Sequence, residues 1–419
     1  MVILFFSTTN RVLFYTLIFF YSISSFLIGC TSKSNSQTNS ELILISIDGF
    51  NPSYLEWYET ENLDRFIDKG VVADYMIPVF PTKTFPNHYS IATGLFVENT
   101  GIIANNMYDP EFDEFYSLSD RNSVQDAKWY AGEPIWVTAE KYGIPTAPLF
   151  WPGSEAPIGG EYPTRWQPYD HDLPYKARVD SVITWLTLDD STAPKFITLY
   201  FSKVDTYGHR YGPKSDQIAA AVKEIDFYIG YLINELKGVN KWGEVNIIIV
   251  SDHGMAEVSN EKVILLDEIV NLDDVNIIDW APLTTLYPKE GLKDDIYLAL
   301  KKAENNYTVF KKDEIPNHFR YRNNLRVPEI VLIAETGYSI TSTNQIKSRP
   351  ISGGDHGYDY RSPEMRSLFI AKGPSFKQSL RIQPFQNVHI YELMTNLLNI
   401  DPAPNDGSID SLMHILHKH

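Results

Sequence analysis

The sequence predicts an α/β fold with a mainly parallel central sheet and helices on both of its faces. Apolar runs rich in β-branched residues alternate along the chain with amphipathic stretches, a pattern that is typical of parallel sheets covered by helices. The runs are apolar throughout, as expected of strands that are buried on both faces. Asp and His residues stand near their ends, which indicates a polar site at one edge of the sheet.

Four of the apolar runs are predicted to be buried strands. They are Leu42 to Ile47, Phe196 to Phe201, Val245 to Val250 and Leu368 to Ala371. Each run is of ordinary strand length and lies close to polar residues that could carry chemistry. The four runs are therefore expected to be buried strands of the sheet.

The clearest predicted helix runs from Ser215 to Lys237. Its apolar residues recur every three or four positions, which gives the helix one buried face. Pro213 stands before it, and Ser215 is a favourable N-cap residue. This helix is expected to be one of those that cover the sheet.

A less regular stretch from about residue 266 to 333 interrupts the alternation. It has acidic loops, a short predicted helix near Lys293 to Glu304 and a possible strand at Ile330 to Ile333. We interpret it as an insertion within a single catalytic domain that spans residues 41–419. The pattern leaves open whether the insertion is a lid or a small subdomain.

Residues 1–29 are expected to be a signal peptide. Arg11 is their only charged residue, and an apolar run from Val12 to Ile28 follows it. The end of this run, Leu27 to Cys30, resembles the lipobox of bacterial lipoproteins, in which the cysteine carries the lipid. We therefore expect an exported protein held at a membrane through Cys30, on the periplasmic or cell-surface side, with a retained membrane helix as the alternative. Residues 30–40 are polar and predict a flexible tether.

The charge balance limits the classes of partner. The 419 residues include 36 Lys and Arg against 53 Asp and Glu, a net charge of −17 at pH 7. This balance argues against stable binding to nucleic acid or to anionic lipid headgroups, and nothing in the sequence implies a protein partner. A phosphate-bearing substrate would need its positive charge from a metal. Because Cys30 is the only cysteine, a large core rather than disulfides must hold the domain together.

Six candidate metal ligands follow one rule of placement. Three strands are followed closely by Asp or by Asp with His, and a further His lies upstream of the fourth strand. A mixture of carboxylates and imidazoles without thiolates favours zinc among the common divalent ions. A single Asp after a strand is as readily a helix cap or a turn residue, but that reading fits the whole pattern poorly. The candidates are Asp48, Asp205, His209, Asp252, His253 and His356.

Thr84 is the candidate nucleophile. It precedes a helix predicted to begin at about His88, and free backbone amides at a helix N-terminus favour a bound anion. A hydroxyl that binds zinc loses its proton readily and can attack phosphorus. The alternative is that Thr82 or Thr84 only caps the helix. The neighbouring Lys83 is expected to be solvated.

The longer motifs resemble a known family. FPTKTFPNHYSIATG followed by GIIANNMYDP, with SIDGF before them and VDTYGHRYGP, SDHGM and DHGYD after them, closely resembles the nucleotide pyrophosphatase/phosphodiesterase family of the alkaline phosphatase superfamily. The resemblance extends from about Leu42 to Phe376. It implies an alkaline phosphatase-like fold and hydrolysis of phosphodiester or phosphoanhydride bonds.

The resemblance also divides the candidate ligands between two zinc ions. It implies that Thr84 attacks phosphorus in line, and that water then hydrolyses a covalent phospho-threonine and releases a nucleoside monophosphate. One ion would be held by Asp48, Thr84, Asp252 and His253, and the other by Asp205, His209 and His356.

A substrate pocket is implied in the same way. Asn105 matches the asparagine that binds a non-bridging phosphate oxygen, Phe85 and Tyr169 match two aromatic residues that enclose a base, and Trp151 would line the same pocket. The alternative for these aromatic residues is ordinary packing. Asn106 stands where some animal members have lysine, so a choline or lipid phosphodiester, or a phosphonate, is an alternative substrate. A surface lipoprotein that binds a ligand without catalysis is the alternative from another class.

Overall fold

The computed structural model of the chain describes residues 41–417. The predicted signal peptide, the tether and the lipidation site at Cys30 lie outside these residues and stay predictions. Within the described range, no helix has the length and apolar character needed to cross a membrane.

The helices and strands alternate for most of the chain. The strands are β1 (Leu42–Ile47), β2 (Val71–Ala73), β3 (Met76–Ile77), β4 (Asn106–Asp109), β5 (Glu114–Ser117), β6 (Thr146–Pro148), β7 (Phe196–Phe201), β8 (Asn246–Val250), β9 (Ala256–Glu257), β10 (Val263–Leu265), β11 (Val275–Asp279), β12 (Leu283–Pro288), β13 (Tyr307–Lys311), β14 (Ile330–Ala334), β15 (Ser339–Thr341), β16 (Gly354–Asp355), β17 (Phe369–Lys372), β18 (Leu380–Ile382) and β19 (Phe385–Gln386). The α-helices are α1 (Tyr54–Trp57), α2 (Glu61–Asp68), α3 (Thr84–Thr93), α4 (Val97–Thr100), α5 (Arg121–Val124), α6 (Ile135–Lys141), α7 (Tyr175–Leu186), α8 (Lys203–Tyr211), α9 (Asp216–Gly238), α10 (Lys293–Lys302), α11 (Thr343–Ser348) and α12 (His389–Leu398).

The central sheet has seven strands in the order β18-β2-β17-β8-β1-β7-β6. The four predicted strands form its middle, and β1 pairs in parallel with both β7 and β8. β17 is antiparallel to both of its neighbours, β8 and β2. The prediction of a mainly parallel sheet is therefore confirmed, with one reversed strand inside it.

Helices cover both faces of the sheet because its central strands are apolar on both sides. Leu42 and Leu44 of β1 belong to one buried cluster, and Ile43 and Ile45 to the cluster on the other face. The second cluster includes the buried face of α9, which Ser215 caps by accepting a hydrogen bond from the Ile218 amide. The predicted amphipathic helix thus covers one face of the sheet.

The stretch that was predicted to be an insertion carries a sheet of its own. Its four strands lie in the order β11-β12-β14-β13, and each is antiparallel to its neighbours. Helix α10 packs beside them over a third buried cluster. The helix at Lys293–Lys302 and the strand at Ile330–Ala334 match the predicted elements closely. The sequence alone did not indicate the other strands of this sheet.

Candidate active site

Four side chains converge at the ends of β1 and β8 and at the start of α3. The Nε2 atom of His253 lies 3.5 Å from Oδ1 of Asp48, 2.9 Å from Oδ2 of Asp252 and 3.3 Å from Oγ1 of Thr84. Asp48, Asp252 and His253 are buried, whereas Thr84 is half-buried. These are the residues that the family resemblance assigns to one ion.

A second group lies beside the first. Asp205 and His209 are one turn apart on α8, so their side chains lie on the same face of the helix. Oδ1 of Asp205 lies 3.4 Å from Nε2 of His209 and 3.6 Å from Nε2 of His356. The structure therefore brings together all seven residues named for the two ions, and we call this set the metal cluster.

The reversed strand explains why His356 belongs to the cluster. The parallel strands β1, β7 and β8 end at one edge of the sheet, and an antiparallel strand begins at that same edge. The segment before β17 therefore returns to the ends of the other strands. There β16 pairs with β9, which brings the His356 loop beside the segment after His253.

Glycines permit this close approach of backbone segments. Gly353 has a φ of +86°, and a Cβ atom there would lie 2.1 Å from the carbonyl oxygen of His209. Gly49, with a φ of +70°, would place a Cβ atom 2.9 Å from Cα of Asp205. A side chain at Gly353 would push the segment of His356 away from α8, and one at Gly49 would push Asp48 and Asp205, which belong to different groups, apart.

Each histidine of the metal cluster has its ring orientation fixed by a backbone carbonyl. Nδ1 of His209 donates to the Gly354 oxygen at 2.9 Å, Nδ1 of His253 to the Gly254 oxygen at 2.8 Å and Nδ1 of His356 to the Thr82 oxygen at 2.8 Å. Since a carbonyl oxygen can only accept, the proton is on Nδ1 and the lone pair of Nε2 faces the site. This is the tautomer that metal-binding histidines use.

The cluster also contains polar atoms without partners. Within residues 41–417, Oδ1 of Asp48, Oδ1 of Asp205 and Oδ2 of Asp252 are buried without a hydrogen bond. Nε2 of His209 and Nε2 of His356, both acceptors, lie only 3.1 Å apart. Such an arrangement is costly unless a cation lies among the atoms. The residues therefore fit the two metal ions that the sequence predicts.

His88 is close to the cluster but is poorly suited to bind metal. Asp48, His88 and Asp252 offer ligand atoms within 4.8 Å of one another, as do Asp205, His253 and His356. However, Nδ1 of His88 is 2.9 Å from the Thr84 carbonyl oxygen and Nε2 is 2.8 Å from the Ser46 hydroxyl. Both ring nitrogens are thus occupied, and His88 supports the first turn of α3 instead.

The carboxylates of the cluster repel one another. Burial raises the pKa of Asp48 well above its usual range, and the negative charges of Asp252 and Asp205 raise it further. Burial also acts to raise the pKa of Asp252, but attraction to the protonated forms of His253 and His88, with the hydrogen bond from the Gly49 amide, outweighs it and lowers the pKa to about 2. The pair thus holds its negative charge mainly on Asp252.

The histidines of the cluster also differ from one another in pKa. Burial, and the neighbouring charges of His253 and His209, lower the pKa of His356 well below its usual value. His356 is therefore neutral at neutral pH, which is the form that binds a metal. Burial opposes protonation of His209 as well, but attraction to Asp205 outweighs it and raises the pKa of His209.

Thr84 is the first residue of α3, four positions before the predicted helix start. The first amides of a helix have no partner inside it, so this end favours an anion. The Phe85 amide donates to Oδ1 of Asn105 at 3.1 Å, and Asn105 lines the cavity beside Thr84. The Phe85 amide is thus taken by Asn105, and residue 86 is a proline without an N–H. The arrangement therefore places the Thr84 hydroxyl, the Thr84 backbone amide and the side-chain amide of Asn105 close together.

The expectation for Lys83 is wrong. Its side chain is buried, and Nζ lies 2.5 Å from Oδ2 of Asp279 at the end of β11. The strand of the insertion therefore supplies a buried carboxylate that neutralises the ammonium group next to Thr84. The sequence pattern does not indicate that Lys83 and Asp279 form a pair, because they are 196 residues apart along the chain.

A cavity of about 510 Å³ opens beside the metal cluster. Phe85, Trp151 and Tyr169 line it together with Phe150, and we call these four residues the aromatic wall. Trp151 is almost fully buried, and its indole N–H donates to the His88 carbonyl oxygen at 2.9 Å. Phe85 and Tyr169 are half-buried, so their rings retain surface for a ligand.

Comparison with known proteins identifies the family. Residues 42–359 match the family described as type I phosphodiesterase/nucleotide pyrophosphatase. The chain belongs to this family. The predicted family and its alkaline phosphatase-like fold are thereby confirmed, whereas the role of each site residue stays a prediction.

Several relatives cover most of the chain. The human ectonucleotide pyrophosphatase/phosphodiesterase family member 5 is 35% identical over 387 residues, which are 92% of this chain and 80% of the relative. A bis(5′-adenosyl)-triphosphatase of Xenopus laevis is 36% identical over 389 residues, 92% of this chain and 84% of the relative. The venom phosphodiesterase of Naja atra is 37% identical over 404 residues, 92% of this chain, but the chain spans only 48% of its length.

Solved structures agree with these relatives. The murine ectonucleotide pyrophosphatase/phosphodiesterase 5 has a TM-score of 0.87 and 35% sequence identity, covering 90% of this chain and 100% of its own. The same values hold for an inactive variant of that protein, in which alanine replaces a threonine, in complex with AMP.

Several residues that line the cavity are not predicted from the sequence. Tyr200 donates to Oδ2 of Asp48 at 2.5 Å, and Glu155 is buried and forms an ion pair with Arg121. His171, which is exposed, lines the same cavity and lies 3.1 Å from the Tyr169 hydroxyl through Nδ1. The signal in the sequence for Tyr200 is its position near the end of an apolar strand. In the structure Tyr200 pairs with Ser46 of β1, which places it at the edge of the sheet where Asp48 lies.

Proposed function

We propose that the chain is a metal-dependent hydrolase of phosphodiester or phosphoanhydride bonds that uses two zinc ions and Thr84 as nucleophile. The observation that carries this proposal is the set of buried, partnerless carboxylate oxygens that converge with histidine Nε2 atoms around the Thr84 hydroxyl. Zinc bound to these residues would offset the charge of the phosphoryl group and lower the pKa of the Thr84 hydroxyl.

The residues of the chain then have distinct roles. Oγ1 of Thr84 attacks phosphorus, a bond from threonine to phosphorus forms, and the bond to the leaving group breaks on the opposite side. Water then hydrolyses the phospho-threonine and restores the hydroxyl. The side-chain amide of Asn105 and the backbone amide of Thr84 donate hydrogen bonds to the phosphoryl oxygens, whose negative charge increases during the reaction. Tyr200 holds Asp48 in place through their short hydrogen bond.

We propose nucleotides as the substrates, with a nucleoside monophosphate as one product. The half-buried rings of Phe85 and Tyr169 beside the metal cluster support this, because stacking on aromatic side chains favours any base. A relative with the same fold has been solved with AMP while inactivated at a threonine, which supports both the substrate and the role of Thr84.

The experiment is a substrate comparison on the purified protein. Turnover should stop when a chelator removes the metals and should return when zinc is added. A nucleotide ester should be cleaved faster than glycerophosphocholine, and both faster than a simple phosphomonoester. Activity that is indifferent to chelation would overturn the metal proposal, and dominant monoester turnover would overturn the diesterase proposal.

We also propose that Cys30 carries a lipid that holds the exported protein at a membrane. The lipobox-like run before it is the support for this proposal. Cys30→Ser should move the protein from the membrane fraction to the soluble fraction. A variant that stayed in the membrane fraction would favour a retained apolar segment instead.

A further inference from the structure

Arg178 is a fully buried arginine on the far side of the aromatic wall from the cavity. Its exposed fraction is 0%, and it lies in the first turn of α7. Burial disfavours a charge, and the positive end of a helix disfavours a cation further. Because this position is unfavourable for an arginine for both reasons, we expect the guanidinium group to have a specific local role and not to add to stability.

The hydrogen bonds of Arg178 indicate what this role is. Within the described residues they all go to backbone carbonyl oxygens: Nε donates to Leu173 at 3.0 Å, and Nη2 donates to Asp170 and His171 at 3.2 Å each. The fourth, from Nη1, goes to the carbonyl oxygen of Tyr200 at 2.8 Å. One planar group thus ties the loop that carries Tyr169 and His171 to the end of β7.

The face of the guanidinium group also contacts the aromatic wall. Its carbon lies 4.9 Å from the centre of the Phe150 ring, and that ring packs edge-on against Tyr169 at 5.2 Å. Tyr169 is also held by its backbone amide, which donates to Glu155 at 3.1 Å, and by its hydroxyl, which lies 3.1 Å from Nδ1 of His171. The Tyr169 ring also packs edge-on against Tyr200 at 6.0 Å. Arg178 contacts both of these neighbours, Phe150 through the face of the guanidinium group and Tyr200 through its carbonyl oxygen, and so contributes to the orientation of the Tyr169 ring.

We propose that Arg178 is a positioning residue that determines how tightly the site binds a substrate with a flat base. It touches no substrate itself and acts through Phe150 and the 169–173 loop. The inference rests on the proposed function, in that the cavity is taken to hold the base of a nucleotide. The inference adds that the hydrogen bonds from the Arg178 guanidinium group are required for binding of the base, whereas the metal cluster does not depend on them.

Two esters with the same leaving group test this. The p-nitrophenyl ester of a nucleoside 5′-monophosphate carries a base, and methyl p-nitrophenyl phosphate carries none. Arg178→Lys keeps the charge but loses the fork, so KM for the nucleotide ester should rise about 10-fold, the loss expected when one stacking contact weakens. Its kcat, its zinc content and kcat/KM for the methyl ester should stay within about 2-fold, which would show that the fold and the metal cluster are intact.

Arg326 provides the matched control. It is also buried and donates to backbone carbonyl oxygens, those of Gly101 at 2.6 Å and Trp129 at 2.7 Å, as well as to Asp109 at 2.6 Å. It does not line the cavity. Arg326→Lys should lower thermal stability and change the two esters equally.

Tyr169→Ala separates failure of this inference from failure of the proposed function. If Tyr169→Ala leaves KM for the nucleotide ester unchanged, the proposed base site itself is wrong. If Tyr169→Ala raises KM but Arg178→Lys does not, the Arg178 inference is overturned. Arg178→Lys should also add no further increase in the Tyr169→Ala background. Equal loss on both esters, or failure of Arg178→Lys to fold, would assign Arg178 to the core and overturn the proposal.

Discussion

The metal cluster and the aromatic wall share one cavity but are built differently. Most ligands of the cluster follow central strands directly or lie on the helix after β7, and backbone carbonyls fix its histidine rings. The aromatic wall comes mainly from irregular segments, and Phe85 and Tyr169 are half-buried. The rigid part is thus suited to the chemistry, and the part made of loops is suited to selecting the substrate.

The largest expected effect on turnover is that of Thr84→Ala. Loss of a nucleophile that acts together with its activating groups lowers kcat by roughly 10⁴-fold or more. Zinc should stay largely bound, because the Asp and His ligands are unchanged. Thr93→Ala, at the other end of the same helix, should leave kcat nearly unchanged. If kcat of Thr84→Ala equalled that of Thr93→Ala, Thr84 would not be the nucleophile.

Loss of one carboxylate of the cluster should come next. Asp205→Asn removes the negative charge of a half-buried side chain between His209 and His356, which should weaken the second metal site. Loss of charge stabilisation by one metal is worth several kcal/mol, or about 10³-fold in kcat. Kinetics with metal analysis would measure both effects. Full activity with full zinc content would show that the cluster is not the metal site.

A smaller effect, and a different one, is expected from the aromatic wall. Tyr169→Ala should raise KM for a nucleotide ester roughly 10-fold through lost stacking on the base. The value of kcat should change little, because the substituted side chain does not belong to the metal cluster. A fall in kcat comparable to that of Asp205→Asn would contradict the division of the cavity into two parts.

The smallest change in turnover is expected for Lys83→Met. The variant leaves Asp279 buried without its partner, which should lower the free energy of unfolding by about 3–5 kcal/mol. Lys293→Met is the control, because the pair of Lys293 with Glu329 is exposed and should contribute about 1 kcal/mol or less. Equal urea midpoints for the two variants would refute the importance of the buried pair.

The two parts of the cavity also differ in how well the sequence predicts them. Asp48, Asp252 and their neighbours could be predicted because buried strands are recognisable as apolar runs, and because the ends of parallel strands lie at one edge of the sheet. Phe85, Tyr169 and Asn105 were assigned only through the family motifs. Arg178, like the partner of Lys83, depends on contacts between distant segments that no local pattern encodes.

The reversed strand shows a further limit of the sequence pattern. Apolar composition predicted a strand near Leu368 but carries no information on its direction. Its antiparallel pairing with β8 is what returns His356 to the edge where β1 and β7 end. The residue was nominated correctly, and the physical reason for its position emerged only with the topology.

The most direct test of the central claim is to trap the intermediate on Thr84. The protein would be mixed with a nucleotide ester, quenched in acid within its first turnovers, digested and analysed by mass spectrometry. The account predicts that the peptide containing Thr84 gains the mass of one nucleoside monophosphoryl group, and that Thr84→Ala abolishes the adduct. Active enzyme with no adduct on Thr84, or with the adduct on another residue, would contradict it.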